Sequence, residues 1–427
     1  MTFDSVEVPG DHPSESPAPS RSAGLRLQGK RAAMVTFSQY PFDPRPRRAI
    51  AALRSEGMSI DLICLADKKL PRHEKCDGLE VVRVPVEHRR GGKLSYVYQY
   101  CAFIFVSACI LAKRAWKQHY DLVYINNMPD ILVLSALVPK ALGAKVILDL
   151  HDPMPELMTT IYNLAPGSLS VRIIRWLEKW SMKRADLVLT VNLACKHIFA
   201  KRSCRFEKIG VVMNSPDEEI FPLRTPRLPN SANGDLPARS VIMYHGSLVE
   251  RNGLDLAVEA LAKVRKTLPG AELRIYGRAT PFLERVMEQV RNLGLEGCVH
   301  YLGPKSLEEL VREIDMCDVG VIPNHRNAFT DINTPTRIFE YLAMGKPVIA
   351  PRTPGIQDYF GPDSLLFFES GDAADLAGRL EEVFAHPGAA LETAGRGQAV
   401  YLAHRWREEK QSLLNLVSGI LEGDQVR

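Results

Sequence analysis

Glu340 is the one acidic residue in TPTRIFEYLAMGKPVIAP, residues 334–351. It sits on a short helical pattern, 336–344, that Gly345 stops just before an apolar strand, 347–350. A carboxylate held there can accept both vicinal hydroxyls of a ribose, and the N–H groups after Gly345 can hold a diphosphate or its neighbours. A second cluster lies in DLHDPMPEL, where Asp149, His151, Asp152 and Glu156 fall within eight residues at the end of an apolar run. In open α/β sheets ligands bind beyond the carboxyl ends of strands, which is where these groups lie. Three carboxylates and a histidine suit a divalent metal as well, although the spacing matches no HExxH-type motif, and Asp152 can instead cap the following helix.

A third set is cationic. The first strand, 32–37, runs into SQYPFDPRPRRAIAAL, which has no glycine where a G-x-G-x-x-G turn would hold a dinucleotide. That counts against NAD or FAD. The loop offers Asp43, Arg45, Arg47 and Arg48 ahead of a helix, an arrangement suited to phosphate. Three later strands each end at a glycine. Gly246 and Gly253 flank Arg251 in HGSLVERNGLD, Gly277 precedes Arg278, and Gly303 precedes the capping box Ser306–Glu309. Exposed amides beside Arg251 make a diphosphate cradle, and the three glycine turns together make a crevice for a flat ligand.

The elements that must position these groups alternate in type, as parallel α/β units do. Strands are expected at 32–37, 60–65, 80–84, 121–125, 145–149, 186–191 and 209–213, then at 241–245, 272–276, 298–302, 318–322, 347–350 and 364–368. Between the two sets, 214–239 holds five prolines and no periodic pattern, so it reads as a linker. The expected division is a disordered tail over 1–28, a Rossmann-like domain over 29–218, a linker over 219–239, a second Rossmann-like domain over 240–395 and a helical segment over 396–427 that returns to the first domain. The tail is rich in Pro, Ser and acids and has no apolar core of a secretory signal.

Residues 94–112 carry no charge across 19 positions, and as a helix they would measure about 28 Å, close to a bilayer core. A membrane span there would put adjacent strands of one sheet on opposite sides. A helix packed on the sheet is therefore expected, with an in-plane membrane helix bearing Tyr96, Tyr98, Tyr100 and Trp116 as the alternative. Charge is uneven. Residues 29–218 hold 29 Lys and Arg against 18 Asp and Glu, a net +11 in a chain of +4, which suggests an anionic partner such as a membrane surface or a lipid phosphate. Nothing resembles a nucleic-acid-binding module. Eight scattered cysteines without a CxxC pair argue against a zinc cluster or disulfide scaffold and fit a reducing cytoplasm.

On YPFDPRPRR, DLHDPMPEL, HGSLVERNGLD, LRIYGR and above all PTRIFEYLAMGKPVIA, the chain resembles the GT-B glycosyltransferases of family 4 over about 390 residues. The resemblance implies two Rossmann-like domains, a nucleotide-sugar donor held mainly by the second, retention of anomeric configuration, no cofactor and no bound metal. By position, Glu340 looks like the ribose-binding glutamate, Arg251 like the residue neutralising the leaving diphosphate, and His151 like the histidine contacting the donor sugar, with Asp152 beside it. The donor side would comprise Gly246, Ser247, Tyr276, Gly277, Arg278, Leu302, Gly303, Thr336 and Arg337 as well. Arg45, Arg47 and Glu156 would face the acceptor or a phosphate. Three positions depart from the family pattern: a second glutamate eight residues before Glu340 is replaced by Ile332, with Asp331 adjacent, and the usual basic residues of the Gly246 loop are Ser247 and Asn252.

The expected activity is thus a retaining transfer from a nucleotide-sugar to a carbohydrate or lipid-linked acceptor, in bacterial surface-polysaccharide assembly. The expected place is the cytoplasm, peripheral to the inner face of the cell membrane. A sugar-nucleotide epimerase of the same fold and a non-catalytic nucleotide-sugar-binding protein are the alternatives.

Overall fold

The computed structural model describes residues 25–86, 93–228 and 239–423, with side chains from residue 97 onward in the second stretch. Residues 1–24 of the expected tail, 229–238 of the expected linker, 424–427 and the side chain of Tyr96 lie outside the described residues.

Two sheets carry the chain. The first comprises β1 (Arg31–Gln39), β2 (Ser59–Leu65), β3 (His73–Cys76), β4 (Leu79–Val84), β5 (Leu122–Asn126), β6 (Lys145–Leu150), β7 (Leu187–Thr190) and β8 (Ile209–Val211), in the order β3-β4-β2-β1-β5-β6-β7-β8. Every pairing is parallel except β3 with β4. The second comprises β9 (Ser240–His245), β10 (Ala271–Tyr276), β11 (Val299–Tyr301), β12 (Val319–Val321), β13 (Val348–Pro351) and β14 (Leu366–Phe368), all parallel, in the order β11-β10-β9-β12-β13-β14.

Strands covered on both faces read as unbroken apolar runs, and β1 buries Ala32, Ala33, Met34 and Val35 in succession. One face of the first sheet packs on the Pro44–Ser55 and Trp406–Glu422 helices, and the other on the Lys93–Ala115, Leu169–Arg184 and Leu193–Arg202 helices. The second sheet likewise has a core on each face.

All thirteen expected strands are present, shifted by a residue or two at their ends; β3, a four-residue antiparallel edge, was not foreseen. The expected helix after Pro335 runs Thr336–Ala343, and the chain leaves it through Gly345 at φ 69°. A Cβ on Gly345 would lie 2.5 Å from the Thr225 carbonyl oxygen, so only glycine lets the preceding segment cross there. That crossing corrects the linker. Arg224 N–H donates to Ala343 O at 2.8 Å and Phe221 and Leu228 are buried, so 219–228 is strapped to the second domain. The tail is corrected too, because Leu27 is 2% exposed and its N–H donates to Glu56 O. Folded chain therefore begins by Leu25.

The Pro387–Ala403 helix belongs to the second domain, where Tyr401 packs on Phe339. It is the Trp406–Glu422 helix that crosses back, burying Leu413, Leu414 and Val417 against the first sheet. The two crossings lie side by side. Met213 N–H donates to Glu409 Oε2 at 2.7 Å, and the Ser215 hydroxyl donates to His404 O. As expected, the long uncharged run forms one helix, Lys93–Ala115, that packs on the sheet through Phe103 and Leu111.

Candidate functional site

The carboxyl ends of both sheets face a cleft between the domains. A pocket of about 290 Å³ there is bordered by Arg47, Arg48, His151, Asp217, Thr336 and Glu340, among others.

On the first domain's side, β6 delivers Asp149 and His151. Asp149 is buried and receives Arg45 in a two-pronged pair, Nη2–Oδ1 2.6 Å and Nε–Oδ2 2.9 Å, with Tyr124 Oη donating at 2.8 Å. Burial alone would push its carboxyl up, but the Arg45 guanidinium and His151 more than reverse this and hold it well below the usual carboxylate range. His151 Nε2 lies 3.3 Å from Asn126 Oδ1 and 3.7 Å from Asp149 Oδ2, while its N–H donates to Asn127 Oδ1. Asn127 Nδ2 donates in turn to Asp130 Oδ1 and to Asp152 O, fixing the 151–152 turn from behind. Burial raises the Asp152 carboxyl above its ordinary value, moderated by His151 and Arg251. Asp152 makes no side-chain cap; the helix it precedes, Met154–Tyr162, starts from Pro153.

On the second domain's side, β9 ends at His245, and the Thr336–Ala343 helix sets Glu340 against it with Oε2 2.7 Å from Nε2. His245 Nδ1 faces Tyr341 Oη at 3.3 Å, and that hydroxyl donates to Met243 O. Burial lowers the imidazole pKa to about 3, with Arg337 adding to the effect, so His245 is neutral. Burial raises Glu340 to about 7, opposed by Arg337 and Arg48. Arg337 donates to His245 O at 2.8 Å and Asn324 Oδ1 at 3.2 Å, with its guanidinium over the Tyr244 ring. Arg251 lies over the Phe329 ring, and burial lowers its pKa while Asp152 opposes that from across the cleft. Neither Arg251 nor Arg337 has a carboxylate at ion-pair distance among the described residues.

The Gly246 and Gly277 turns stack on each other. A Cβ on Gly277 would lie 2.2 Å from Gly246 O, so the stack admits no side chain there. Ser247 is exposed and its carbonyl is held by Tyr244 Oη and Asn252 Nδ2. Gly303 O accepts from Gly277 N–H, which leaves Leu302 and Arg278 exposed at the same edge.

Three expected site residues have other occupations. Arg45 is committed to Asp149, Val212 O and Asn214 Oδ1, so it clamps the fold and offers no free charge, although it borders the pocket with Arg47 and Arg48; Arg48 is held in turn by Asn214 Oδ1 and Ser215 O. Glu156 is held by Arg202 at 2.6 and 2.9 Å, together with buried Glu178. The Tyr276 ring is buried in the core and its hydroxyl donates to Glu313 Oε2, so its part at the cleft is the carbonyl that receives Gly246 N–H. With Asp149 and Glu156 so occupied, no three His, Cys, Asp or Glu side chains form a metal-binding group among the described residues. His245 was missed. Its signal was a lone histidine ending the apolar strand VIMYH, directly before a glycine.

Comparison with known proteins gives two family matches: residues 43–215 match the glycosyl transferase 4-like domain and residues 239–386 match glycosyl transferases group 1. Among curated relatives, a GDP-mannose-dependent alpha-(1-6)-phosphatidylinositol monomannoside mannosyltransferase of Mycolicibacterium smegmatis is 29% identical over 44% of this chain and 50% of its own. A chitobiosyldiphosphodolichol beta-mannosyltransferase of Eremothecium gossypii is 22% identical over 78% of this chain and 74% of its own. The match spans about half the length of the first of these relatives. Among solved structures, a sucrose-phosphate synthase from Thermosynechococcus elongatus superimposes with a TM-score of 0.74 at 18% identity, covering 92% of this chain and all of that one. Anabaena HepE in complex with UDP gives 0.68 at 18% identity, over 91% of this chain and 100% of its own.

Proposed function

We propose that this chain, which belongs to the family 4 glycosyltransferases of GT-B fold, transfers a sugar from its nucleotide-sugar donor with retention of configuration to a lipid-linked or growing polysaccharide acceptor. The observation that carries the reading is the Glu340 carboxylate: among the described residues its side chain bonds only His245, with Oε2 at 2.7 Å, and it borders the pocket beside Arg47 and Arg48, which have no carboxylate at ion-pair distance there. A ribose fits the open side of Glu340. The diphosphate fits the Gly246 turn, Arg251 and Arg337, leaving the sugar between Arg251 and the His151–Asp152 turn.

As the anomeric C–O bond breaks, negative charge gathers on the departing diphosphate. Fixed donors aimed at that charge in a cleft that excludes water are the largest single contribution such a site can make. Arg251 is free to supply it, since no carboxylate among the described residues lies at ion-pair distance from it. The acceptor side is supported by the +11 charge of residues 29–218 and by two relatives whose names carry lipid-borne acceptors. The nucleotide-sugar is a substrate, and no resident cofactor enters the reading. A cytoplasmic place on the inner membrane face follows from that acceptor class.

A thermal-shift panel of UDP-, GDP- and ADP-sugars tests the donor site. One nucleotide class should raise the melting temperature by mass action, and Glu340→Ala and Arg251→Ala should each remove the rise. No response to any nucleotide overturns the reading. Because the relatives' names include both an alpha- and a beta-mannosyltransferase, proton NMR of the product's anomeric centre decides the stereochemistry; inversion would defeat the retaining assignment.

A further inference from the structure

We infer that the outer face of the Lys93–Ala115 and Leu169–Arg184 helices docks on an anionic lipid bilayer, with a basic groove beside it that takes a lipid headgroup phosphate. The inference goes beyond sugar transfer and stands without it, since docking requires neither donor nor acceptor.

The Lys93–Ala115 helix joins β4 to β5 of one sheet and buries Phe103 and Leu111, so it is fixed to the protein and does not cross a bilayer. Its opposite face is apolar and uncovered. Tyr98, Phe105 and Trp116 are 75%, 70% and 75% exposed. Their spacings of seven and eleven residues are near-whole numbers of turns, which aligns them in a stripe about 27 Å long. Through the 130–141 helical segment this helix abuts Leu169–Arg184, which presents Leu169, Ile173 and Trp176 at helical spacing.

Cations flank both stripes: Lys113 and Lys117 around Trp116, Arg172 and Arg175 around Ile173, all exposed. No acidic residue occurs in Lys93–Ala115, and the one in Leu169–Arg184, Glu178, is buried on Arg202. Aromatic and aliphatic side chains rimmed by Lys and Arg are the composition of a surface that lies in a membrane interface. A second copy of the chain fits poorly, because a two-fold interface would set these cations against themselves with no carboxylate to answer them.

The groove adds an independent observation. A cavity of about 460 Å³ between β4 and the Lys93–Ala115 helix has a floor of valines and a rim of Arg72, His73, Arg83, Lys113, Arg114 and Lys117. Arg114 is held by Asp61 and Glu80, and Arg83 by Pro71 O and Glu74, yet the buried Nε of Arg83 has no partner. Arg72, Lys113 and Lys117 make no ion pair among the described residues. An apolar floor under a cationic rim accommodates a phosphate together with the glycerol and first methylenes attached to it.

Sedimentation of the full chain with phosphatidylglycerol or phosphatidylcholine vesicles tests this. Partitioning to phosphatidylglycerol should be at least about tenfold stronger and should fall with added salt. The Lys113→Glu, Lys117→Glu, Arg172→Glu, Arg175→Glu variant should lose about tenfold or more on phosphatidylglycerol while keeping the wild-type melting curve. Arg72→Glu, which lies off both helix faces, should lose about twofold or more if the groove takes a headgroup. Equal binding to the two lipids, or charge reversal without effect, overturns the proposal. So does self-association of the wild type that Tyr98→Ser, Phe105→Ser, Trp116→Ser abolishes, in a chain that ignores both vesicles; the occupant would then be a second copy.

Discussion

The two sheet edges that meet at the cleft treat charge in opposite ways. On the first domain's side two inner guanidiniums are paired: Arg45 closes on Asp149, and Arg202 gathers Glu156 and Glu178. On the second domain's side Arg251 and Arg337 lie over aromatic rings with no carboxylate at ion-pair distance among the described residues, and Glu340 leans on a neutral imidazole. A satisfied buried pair fixes shape and leaves nothing for a ligand. Half-satisfied charges in a cleft cost stability in the free protein and are answered when an anion arrives.

The contrast can be broken most forcefully at Arg45. Arg45→Met leaves Asp149 buried without its partner and should cost about 3–5 kcal/mol of unfolding free energy, read by urea denaturation. Arg251→Ala should do the reverse. Stability should stay within about 0.5 kcal/mol of wild type, while the turnover of donor should fall about 100- to 1,000-fold. Comparable stability losses in the two variants would erase the distinction.

Titration sharpens it further. The folded Glu340 carboxyl keeps its proton up to about pH 7, against an ordinary value of 4.5, so between those values the folded state binds the extra proton. Stability should therefore fall as pH rises through that interval, by on the order of 3 kcal/mol, and level off above it. Nucleotide affinity should rise over the same interval as the carboxylate becomes able to accept ribose hydroxyls. Glu340→Gln should flatten both curves; a pH profile unchanged by that substitution would remove Glu340 from the site. The smallest effect is expected at the cleft's rim, where Thr160 Oγ1 donates to Asn327 Oδ1 across the domains at 3.1 Å. Thr160→Val should cost about 0.5–1 kcal/mol and leave nucleotide affinity unchanged.

The sequence made the positions of the strands along the chain legible because buried parallel strands advertise themselves as runs such as VILDL and VIMYH. β3, HEKC, escaped because a four-residue edge strand with little burial has no such run. Glu340 was legible from its local setting; the histidine ending VIMYH marked His245 only as a polar residue at a strand end, because its partner lies 95 residues away. Arg45 and Arg48 illustrate the limit differently. Both sit on the first turns of one helix and border the pocket, and composition does not reveal which guanidinium closes on Asp149 and which on Asn214 and Ser215. The uncharged run at 94–112 was ambiguous for a plain physical reason: a helix with one face on a sheet and an apolar outer face has the same letters as one that spans a bilayer.

The paired crossings between the domains carry a mechanical consequence. Two chain segments pass from one domain to the other, near 213–215 and near 404–409, and they are bonded to each other where they pass. A body hung at two neighbouring points behaves like a door on a pair of pins. It swings freely about the line through them and resists torsion about any other. Any swing of one domain on the other would thus be guided along one track, which keeps Arg251 in line with the His151–Asp152 turn.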